Sequence, residues 1–426
     1  MSEHDCTRSL PTGMIGLGMI FDETYRPFFE RVHAEGLWDR RFGEVRVPLC
    51  AVATRTGSRG ERYAKQAAGL IAPFENFAGD DAVDRLVRSG AKVACVATPD
   101  NRHFDACRRV LEAGLHLLVE KPSVLSLAEL DELAALAERH GVLAKVVYHK
   151  LLDPDHKRLR TLVADGTLRH VNNGYCSLLE PKSISGGQFA EWIRGRNPGT
   201  YVAVHYIKLI DFTFGGKLKA VVAGGQRGLV GPADGPTWDS CQMKLVYEYD
   251  DGREAAFDIH TSWVTPDNFP GYVEQEVQFR FDNGVWNGHS RKRGVELTVE
   301  GETPISRKTT INNHYNGAFL EPWGERSQRG YGVEVIERFF REVALVEFGG
   351  ETADRPARLA AARKLAYNDL AADRQVVAAV QALEAVLEEA AAGRPDAVVR
   401  INGAEGGLVL QRPGSAESRV LYEPRV

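Results

Sequence analysis

The sequence predicts an α/β fold in two domains, a doubly wound parallel sheet in residues 1–150 and a mostly antiparallel sheet in residues 151–426. The 426 residues exceed one average domain. The first part alternates short apolar runs with helical patterns, which is typical of βαβ units. In the second part, segments of alternating polarity lie between turn signals, which is typical of antiparallel strands.

The first domain begins with a strand and its turn at Met14–Gly18. The next helix has one apolar face formed by Tyr25, Phe28, Phe29 and Val32. A later helix is predicted from about Arg102 to Gly114, and a capping box at Ser126–Glu129 opens another helix with leucines on its inner face. Further strands are predicted at Val47–Ala53, Val93–Ala97, Leu117–Val119 and Leu143–Tyr148.

The second domain is predicted from alternation and turn residues. Asp250–Gly252 and Asp282–Gly284 indicate hairpins. Helices are expected at about 332–346 and over one long segment at about 356–391, where Pro356 suits the first turn. The last ~25 residues show little periodicity and are predicted to form a tail or an interface arm. Strands are predicted at Val171–Tyr175, Lys219–Ala223, Met243–Tyr249, Glu254–His260, Glu274–Phe281 and Val295–Val299.

Composition excludes several classes of function. The net charge is −5 with no basic stripe, so nucleic acid is not an expected partner. No apolar run has the length of a membrane span, and the polar segment Met1–Cys6 is unlike a signal peptide. Six scattered cysteines predict reduced thiols and a cytoplasmic location. No His/Cys spacing fits zinc, so no metal is expected.

Gly16-Leu-Gly18 stands between a predicted strand and a helix. Glycines there let the backbone approach a pyrophosphate, which then binds at the helix N-terminus. Phe21 occupies the third place of this fingerprint, where Gly or Ala allows close helix–strand packing. The helix is therefore expected to begin later or to lie farther out. The alternative interpretation is a generic glycine turn.

The second strand ends at Thr54-Arg55 instead of in a carboxylate. A carboxylate would bind a ribose 2′-hydroxyl, whereas a guanidinium can pair with a 2′-phosphate. The residues thus favour NADP over NAD. Alternatively, Arg55 is a solvated loop residue and either cofactor is accepted.

Glu120-Lys121-Pro122 follows the short apolar strand. Proline ends ladder pairing there, and the carboxyl ends of parallel strands are where doubly wound sheets bind ligands. A lysine at that edge is a candidate catalytic group. The same tripeptide also occurs in ordinary solvated turns.

These motifs, in this order, resemble the glucose–fructose oxidoreductase, inositol dehydrogenase and MocA family. The resemblance covers about residues 12–225 and includes Val93–His103, Leu111–Pro122, Tyr148–Pro154, Glu191–Arg194 and His205–Gly215. It implies a Rossmann domain, a second α/β domain with a large open sheet, and homodimers or homotetramers formed through that sheet. It also implies a nicotinamide cofactor and a sugar, cyclitol or related polyol as substrate.

The resemblance also implies roles for residues of the first domain. Lys121 is assigned as proton relay or carbonyl polariser, because a partly desolvated lysine can exchange a proton near neutral pH. Glu120 and Pro122 are assigned as positioning residues. His103 could equally be a helix-capping residue. The cofactor-binding set comprises Gly16, Gly18, Met19, Ile20, Thr54, Arg55, Thr98, Pro99, Asn101, His103, Glu120, Lys121, His149, Trp192 and Arg194.

His205 aligns with the family's catalytic histidine and is assigned as general base for the substrate hydroxyl. Its alternative is a core histidine. Two places where the family usually has aspartate hold Tyr201 and Lys208 here. Tyr201 is a candidate catalytic and substrate contact and Lys208 a candidate substrate contact, and together they could favour an anionic sugar. Lys150 is another substrate candidate. Lys121 is therefore expected to work with His205 and Tyr201 instead of with the usual aspartate.

Three functions remain open from the sequence. The leading one is NAD(P)-dependent oxidoreduction of a sugar, sugar derivative or cyclitol. The alternative is an NAD-dependent glycosidase that oxidises a sugar carbon transiently, eliminates the glycosidic substituent and returns the hydride. The third is a non-catalytic cofactor sensor, which retention of Lys121 and His205 disfavours.

Overall fold

A computed structural model describes residues 8–183, 192–267, 269, 273–290, 295–299, 307–365, 367–402, 406–415 and 417–424. The chain forms two compact units. The described residues of the first unit fall within 1–124, 129–152 and 314–372. Those of the second unit fall within 125–128, 153–313 and 373–426.

A parallel sheet of six strands forms the centre of the first unit, as predicted. The strand Thr12–Ile15 lies inside the sheet. Its two neighbours, Leu49–Thr54 and Val93–Val96, both come later in the sequence. The order therefore reverses there, and in doubly wound sheets such a position is where ligands bind, beyond the carboxyl ends of the strands. In spatial order the strands are Glu75–Ala78, Leu49–Thr54, Thr12–Ile15, Val93–Val96, His116–Val119 and Ala144–Val146.

The three helices that the sequence predicts within the first 150 residues are present. The predicted apolar face around Phe28 and Phe29 is buried, and so are the leucines of the helix that follows the capping box. Two small sheets accompany them, formed by Arg8–Ser9 with Gly43–Arg46 and Leu37–Asp39, and by Gly317–Leu320 with Arg326–Arg329. The helices are Arg26–Glu35, Ser58–Gln66, Ala82–Leu86, His103–Glu112, Leu127–Arg139, Tyr331–Phe348 and Arg355–Arg363.

The division into units differs from the predicted 1–150 and 151–426, because residues 314–372 fall in the first unit. The helix Tyr331–Phe348 supplies the reason, since its apolar residues belong to the same core cluster as the first helix. The Phe340 and Phe28 rings stack with centroids 4.8 Å apart. Burying this aromatic face outweighs the separation of the two segments in sequence.

The prediction of one long helix over 356–391 was wrong. Two helices, Arg355–Arg363 and Arg374–Ala391, stand in its place. Between them the backbone pairs with the outer strand of the parallel sheet, because Val146 N–H donates to Asn368 O (2.8 Å) and Leu370 N–H donates to Ala144 O (3.0 Å). Pro356 does lie in the first turn of its helix.

Lys145, on that outer strand, is fully buried next to the segment that separates the two helices. Its Nζ lies 3.3 Å from Asp369 Oδ2 and 3.7 Å from Glu342 Oε2, and donates to Ala362 O at 3.0 Å. Lysine is kept in this core because its charge is paired with carboxylates. The contacts of Lys145 therefore hold the segment between the two helices against the sheet.

We expect Lys145→Met to lower the free energy of unfolding by about 3 kcal/mol, since two carboxylates would lose their buried cation. Chemical denaturation followed by circular dichroism measures this loss. Lys364→Met, at an exposed position, is the matched control and should change stability by less than about 0.5 kcal/mol. Equal stabilities of the two variants would contradict the anchoring role.

A mixed sheet of nine described strands dominates the second unit. Its pairs are antiparallel except for Val171–Pro181 with Glu254–Thr265, which are parallel. Both predicted hairpins are present. In spatial order the strands are Gly284–Ser290, Glu274–Phe281, Val171–Pro181, Glu254–Thr265, Ser240–Glu248, Lys217–Gln226, Val398–Asn402, Gly407–Gln411 and Ser418–Tyr422.

The second unit also contains the helices Pro154–Ala164, Val204–Phe214 and Arg374–Ala391. Strands Val295–Val299 and Arg307–Ile311 pair with each other, and the short helix Asn313–Asn316 that follows them belongs to the first unit from residue 314 onward. The prediction of a tail or arm for the last ~25 residues was wrong. Gly407–Gln411 and Ser418–Tyr422 extend the sheet, and Leu408 and Leu410 are buried in it.

The five described cysteines are free thiols, as expected. Within the described ranges, no helix combines the length and the apolar character needed to cross a membrane. Over the same ranges, no cluster of three or more His, Cys, Asp or Glu side chains is arranged to hold a metal ion.

Candidate active site

The loop after the first strand needs glycine at its first position. Gly16 has φ +90°, and a Cβ there would lie 2.4 Å from Ala97 O. A Cβ on Gly18 would meet nothing within 4 Å. Gly16 thus lets the first strand approach the neighbouring Ala97–Thr98 segment, whereas Gly18 faces open space. Such an opening beside a helix N-terminus suits a phosphate group.

The helix after this loop begins with a widened turn. Asp22 N–H donates to Gly18 O at 3.3 Å, and residues Phe21–Tyr25 form a π turn that leads into the helix Arg26–Glu35. Phe21, in the third place of the fingerprint, is buried with its ring 5.0 Å from that of Tyr63. The regular α-helix therefore begins later, at Arg26, as one expectation had it, and a π turn precedes it. Met19 and Ile20 are half-buried immediately before that turn.

Two arginines lie at the end of the sheet where the second strand stops. Arg55 is exposed, and Thr54 Oγ1 accepts from Gly57 N–H at 3.0 Å, which orders the turn. The sequence prediction missed Arg59, whose Nη1 donates to Leu17 O inside the glycine loop at 2.6 Å. Its position at the start of the next helix was the available signal.

His103 joins two of the predicted segments. Its ring nitrogens lie 2.8 Å from Thr98 O and 2.8 Å from Pro122 O, so the Thr98 loop and the Lys121 turn are held together. Burial lowers the pKa of His103, while the two carbonyl acceptors favour the imidazolium. Pro99 and Asn101 are exposed on the same loop.

Lys121 follows the fully buried strand His116–Val119 and is itself half-buried. Its peptide bond to Pro122 is cis. The preceding Glu120 is 6% exposed and accepts a hydrogen bond from Tyr25 Oη at 3.1 Å. Burial raises the pKa of Glu120 to about 7, although Lys121 and Tyr25 lower it. The sequence had placed Tyr25 in the core without predicting this contact.

The first unit also fits the phosphates and ribose of a dinucleotide. Thr98 Oγ1 is buried, and no hydrogen-bond partner for it is found among the described residues. Buried hydroxyls are normally paired, so this atom suits a ligand hydroxyl or phosphate oxygen. Together with the open space at Gly18, it marks the side of the sheet on which a nucleotide would lie.

His149 lies at the start of a short turn after the outer strand, in contact with two tyrosines. Its ring centroid is 5.2 Å from that of Tyr315 and 6.2 Å from that of Tyr331. Burial raises the pKa of Glu23 to about 7, and Tyr315 donates a hydrogen bond that opposes this shift. Lys150, the next residue, is buried. Neither tyrosine was predicted to be near the site.

In the second unit, His205 is the second residue of the helix Val204–Phe214 and is 7% exposed. A π turn, Gly199–Ala203, precedes it and carries Tyr201. The turn is fixed by Asn197, whose Oδ1 accepts from Thr200 N–H at 2.7 Å.

The Tyr201 ring lies close to the rings of two tryptophans. Its ring centroid is 4.5 Å from Trp192 and 6.4 Å from Trp263, and Trp263 Nε1 donates to Glu180 Oε2 at 3.0 Å. Sequence reasoning missed Trp263 and Glu180, because they lie on strands far from the motifs. Arg194 is exposed, and Glu191 lies outside the described residues.

Lys208 is buried in an internal ion pair. Its Nζ lies 3.5 Å from Asp211 Oδ2 and 3.8 Å from Asp373 Oδ1, and the side chain is 1% exposed. Burial raises the pKa of Asp211, and Lys208 opposes this shift. These contacts favour a structural role for Lys208; substrate contact by this lysine stays a prediction.

Residues 10–148 match the model of an oxidoreductase family described by its NAD-binding Rossmann fold. The chain is 31% identical over 122 residues to the oxidoreductase YfiI of Bacillus subtilis, a match covering 27% of this chain and 31% of YfiI. It is 26% identical over 105 residues to IolW, the NADP-dependent scyllo-inositol 2-dehydrogenase of the same organism, covering 25% and 27%. The chain thus spans about a third or less of these curated relatives.

The fold is shared along almost the whole chain with solved structures. One is an inositol dehydrogenase homologue of Azotobacter vinelandii complexed with NADH and myo-inositol. It superposes with a TM-score of 0.64 at 18% identity, over 92% of this chain and 98% of that one. This likeness confirms the predicted parallel-sheet domain and the second domain with its large sheet.

Proposed function

Because residues 10–148 match the model of the glucose–fructose oxidoreductase, inositol dehydrogenase and MocA family, we propose that the protein is an NAD(P)-dependent oxidoreductase. Its reaction moves a hydride between the cofactor and a hydroxyl or keto carbon of a sugar, sugar derivative or cyclitol. The position of Lys121, half-buried at the carboxyl end of an inner strand of a nucleotide-binding sheet, carries this proposal.

When bound, the nicotinamide supplies hydride chemistry that amino-acid side chains cannot perform. The chain itself must exchange a proton at the substrate oxygen. Lys121 Nζ is the proposed group for this exchange, and its half-buried position limits competition from water. Lys121 lies in a turn, and His103 holds this turn against the Thr98 loop through its contacts with Pro122 O and Thr98 O. The loop of Gly16 and Gly18 is proposed to hold the phosphates.

Arg55 and Arg59 support a preference for NADP over NAD. Arg55 is exposed and follows the end of the second strand, where a 2′-phosphate is expected, and the last residues of that strand are Ala53 and Thr54 instead of a carboxylate. Arg59 is engaged with the glycine loop, so it serves both cofactors alike. The relative IolW, which is named as NADP-dependent, adds support.

We expect Arg55→Ala to lower the ratio of NADP to NAD affinity about tenfold, because one charge-assisted contact to phosphate would be lost. Arg59→Ala should weaken both cofactors and leave the ratio unchanged. Fluorescence titration with NADPH and NADH measures both ratios. If the ratio of NADP to NAD affinity is unchanged in Arg55→Ala, then Arg55 does not select NADP.

For the substrate, we propose that His205 is the general base and that Tyr201 is a catalytic or substrate contact. The aromatic rings of Trp192, Tyr201 and Trp263 support a sugar or cyclitol, since such rings pack against the apolar faces of carbohydrates while hydroxyls bind polar groups. The myo-inositol in the Azotobacter vinelandii structure is of this chemical class.

The test is a panel of polyols, sugars and ketosugars with NADP or NAD, monitored by nicotinamide absorbance. A substrate-dependent change is expected for at least one sugar or cyclitol. Release of an aglycone from glycosides without added cofactor would instead identify the glycosidase alternative. Cofactor binding with neither reaction would favour the sensor.

We also propose a cytoplasmic homodimer or homotetramer formed through the nine-stranded sheet. The strand Glu254–Thr265 supports this, because buried residues alternate along it with partly exposed ones, so one side of this strand remains accessible. Light scattering after gel filtration should give a mass of two or four chains. A monomer at micromolar concentration would contradict the assembly.

A further inference from the structure

We propose that Glu120, held by Tyr25, is a positioning residue that sets the protonation state of Lys121 and hence the pH range in which Lys121 can accept a proton. This inference rests on the proposed function for its biological meaning. The electrostatic effect of Glu120 on Lys121 involves only residues of the first unit and can be tested without cofactor or substrate.

Glu120 is an unusual residue to bury. It follows a strand whose four residues are all buried, and the side chain is 6% exposed. A carboxylate in such a place is costly unless donors hold it. Two donors are present, the Tyr25 hydroxyl at 3.1 Å and the backbone N–H of Lys121. The carboxyl is thus fixed beside the lysine turn.

Tyr25 can hold Glu120 in both protonation states. It is fully buried, and burial raises its pKa well above the usual value, so the phenol keeps its proton. A neutral phenol donates to a carboxylate and equally to the carbonyl oxygen of a carboxylic acid. Glu120 can therefore gain or lose a proton without losing this contact.

Other titratable groups also lie around the pair. The Cys95 thiol, on the neighbouring strand, is held neutral because burial raises its pKa. Tyr315 interacts electrostatically with Tyr25, and His103 interacts with both Lys121 and Asp100.

The charge on Glu120 must influence Lys121, because the two groups interact electrostatically. An ionised Glu120 favours the ammonium form of Lys121, whereas a neutral Glu120 makes the amine easier to form. With the pKa of Glu120 raised to about 7, its charge changes in the neutral range. A change in the charge of Glu120 in this range therefore acts on the adjacent Lys121.

The test is competitive labelling of Lys121 in the cofactor-free protein, with acetic anhydride from about pH 6 to about pH 10 and quantification by peptide mass spectrometry. Exposed Lys65 serves as the internal reference. We expect the half-labelling pH of Lys121 to fall by about one unit in Glu120→Gln, because the anion is lost while the shape is kept. Tyr25→Phe should shift it in the same direction by less, and Glu120→Asp should restore most of the wild-type value.

Tyr63→Phe, at another buried tyrosine of the same core, is the matched control and should leave the labelling midpoint unchanged. A midpoint in Glu120→Gln equal to that of the wild type would overturn the inference. If Glu120→Gln fails to fold, an unshifted midpoint in folded Tyr25→Phe overturns it equally.

For an active enzyme, the acidic limb of the pH profile of kcat/KM should move to lower pH in Glu120→Gln by the same amount as the labelling midpoint. Wild-type protein without turnover on any polyol would overturn the proposed function but leave the labelling result to decide the role of Glu120. The two proposals can therefore fail separately.

Discussion

Lys121→Met is expected to lower kcat/KM by about a thousandfold while cofactor affinity stays within a few-fold of the wild type. Methionine keeps the length of the side chain but can neither exchange a proton nor polarise a carbonyl. The turn should keep its shape, because its contacts with His103 are made by the Pro122 backbone. Steady-state kinetics and a fluorescence titration with NADPH measure the two quantities.

Lys65→Met is the control for this experiment, since Lys65 is exposed on the helix Ser58–Gln66 of the same unit. It should retain full activity. If Lys121→Met turns over within tenfold of the wild type, the assignment of this lysine is wrong.

Gly16→Ala and Gly18→Ala are expected to fail in different ways. Gly16 has φ +90°, and the new methyl group would lie 2.4 Å from the backbone oxygen of Ala97. Left-handed geometry alone costs about 1–2 kcal/mol, and the clash adds to it, so we expect a stability loss of at least about 2 kcal/mol. A Cβ on Gly18 meets no atom within 4 Å, so stability should change by less than about 0.5 kcal/mol.

Cofactor binding should separate the two variants again. The Gly18 methyl group would occupy the space in which a pyrophosphate is proposed to approach the backbone, so we expect affinity to fall at least about tenfold in a stable protein. Urea denaturation and NADPH titration give both readouts. Equal stability losses in the two variants, or wild-type affinity in Gly18→Ala, would contradict this account of the loop.

Much of the fold could be predicted, because periodicity reports burial directly. Short apolar runs gave the strands of the parallel sheet, and alternation gave those of the second sheet. The long helix was wrong because Asn368 and Asp369 are tolerated by helix patterns, while their pairing with the outer strand depends on tertiary contacts. Residues 314–372 belong to the first unit because they pack against segments that are distant in sequence, and a single sequence does not reveal such packing.

The candidate site was predictable where one segment carries the chemistry. The glycine loop and the Lys121 turn are continuous motifs with a physical reason at each position. Tyr25, Arg59 and Trp263 were missed because their contacts with Glu120, Leu17 and Glu180 join distant segments. A single sequence does not report which buried tyrosine or tryptophan points its polar atom at a site.

The pairing of Asn368 and Leu370 with the outer strand has a consequence for behaviour at high concentration. An open strand edge offers unpaired backbone groups to other molecules and invites intermolecular strand addition. Here the N–H of Val146 and the carbonyl of Ala144 are already engaged by the chain itself, above a buried cation at Lys145. The segment between the two helices thus shields this edge of the sheet from edge-to-edge aggregation, and substitutions that loosen it should reduce the yield of dispersed protein before they affect the chemistry.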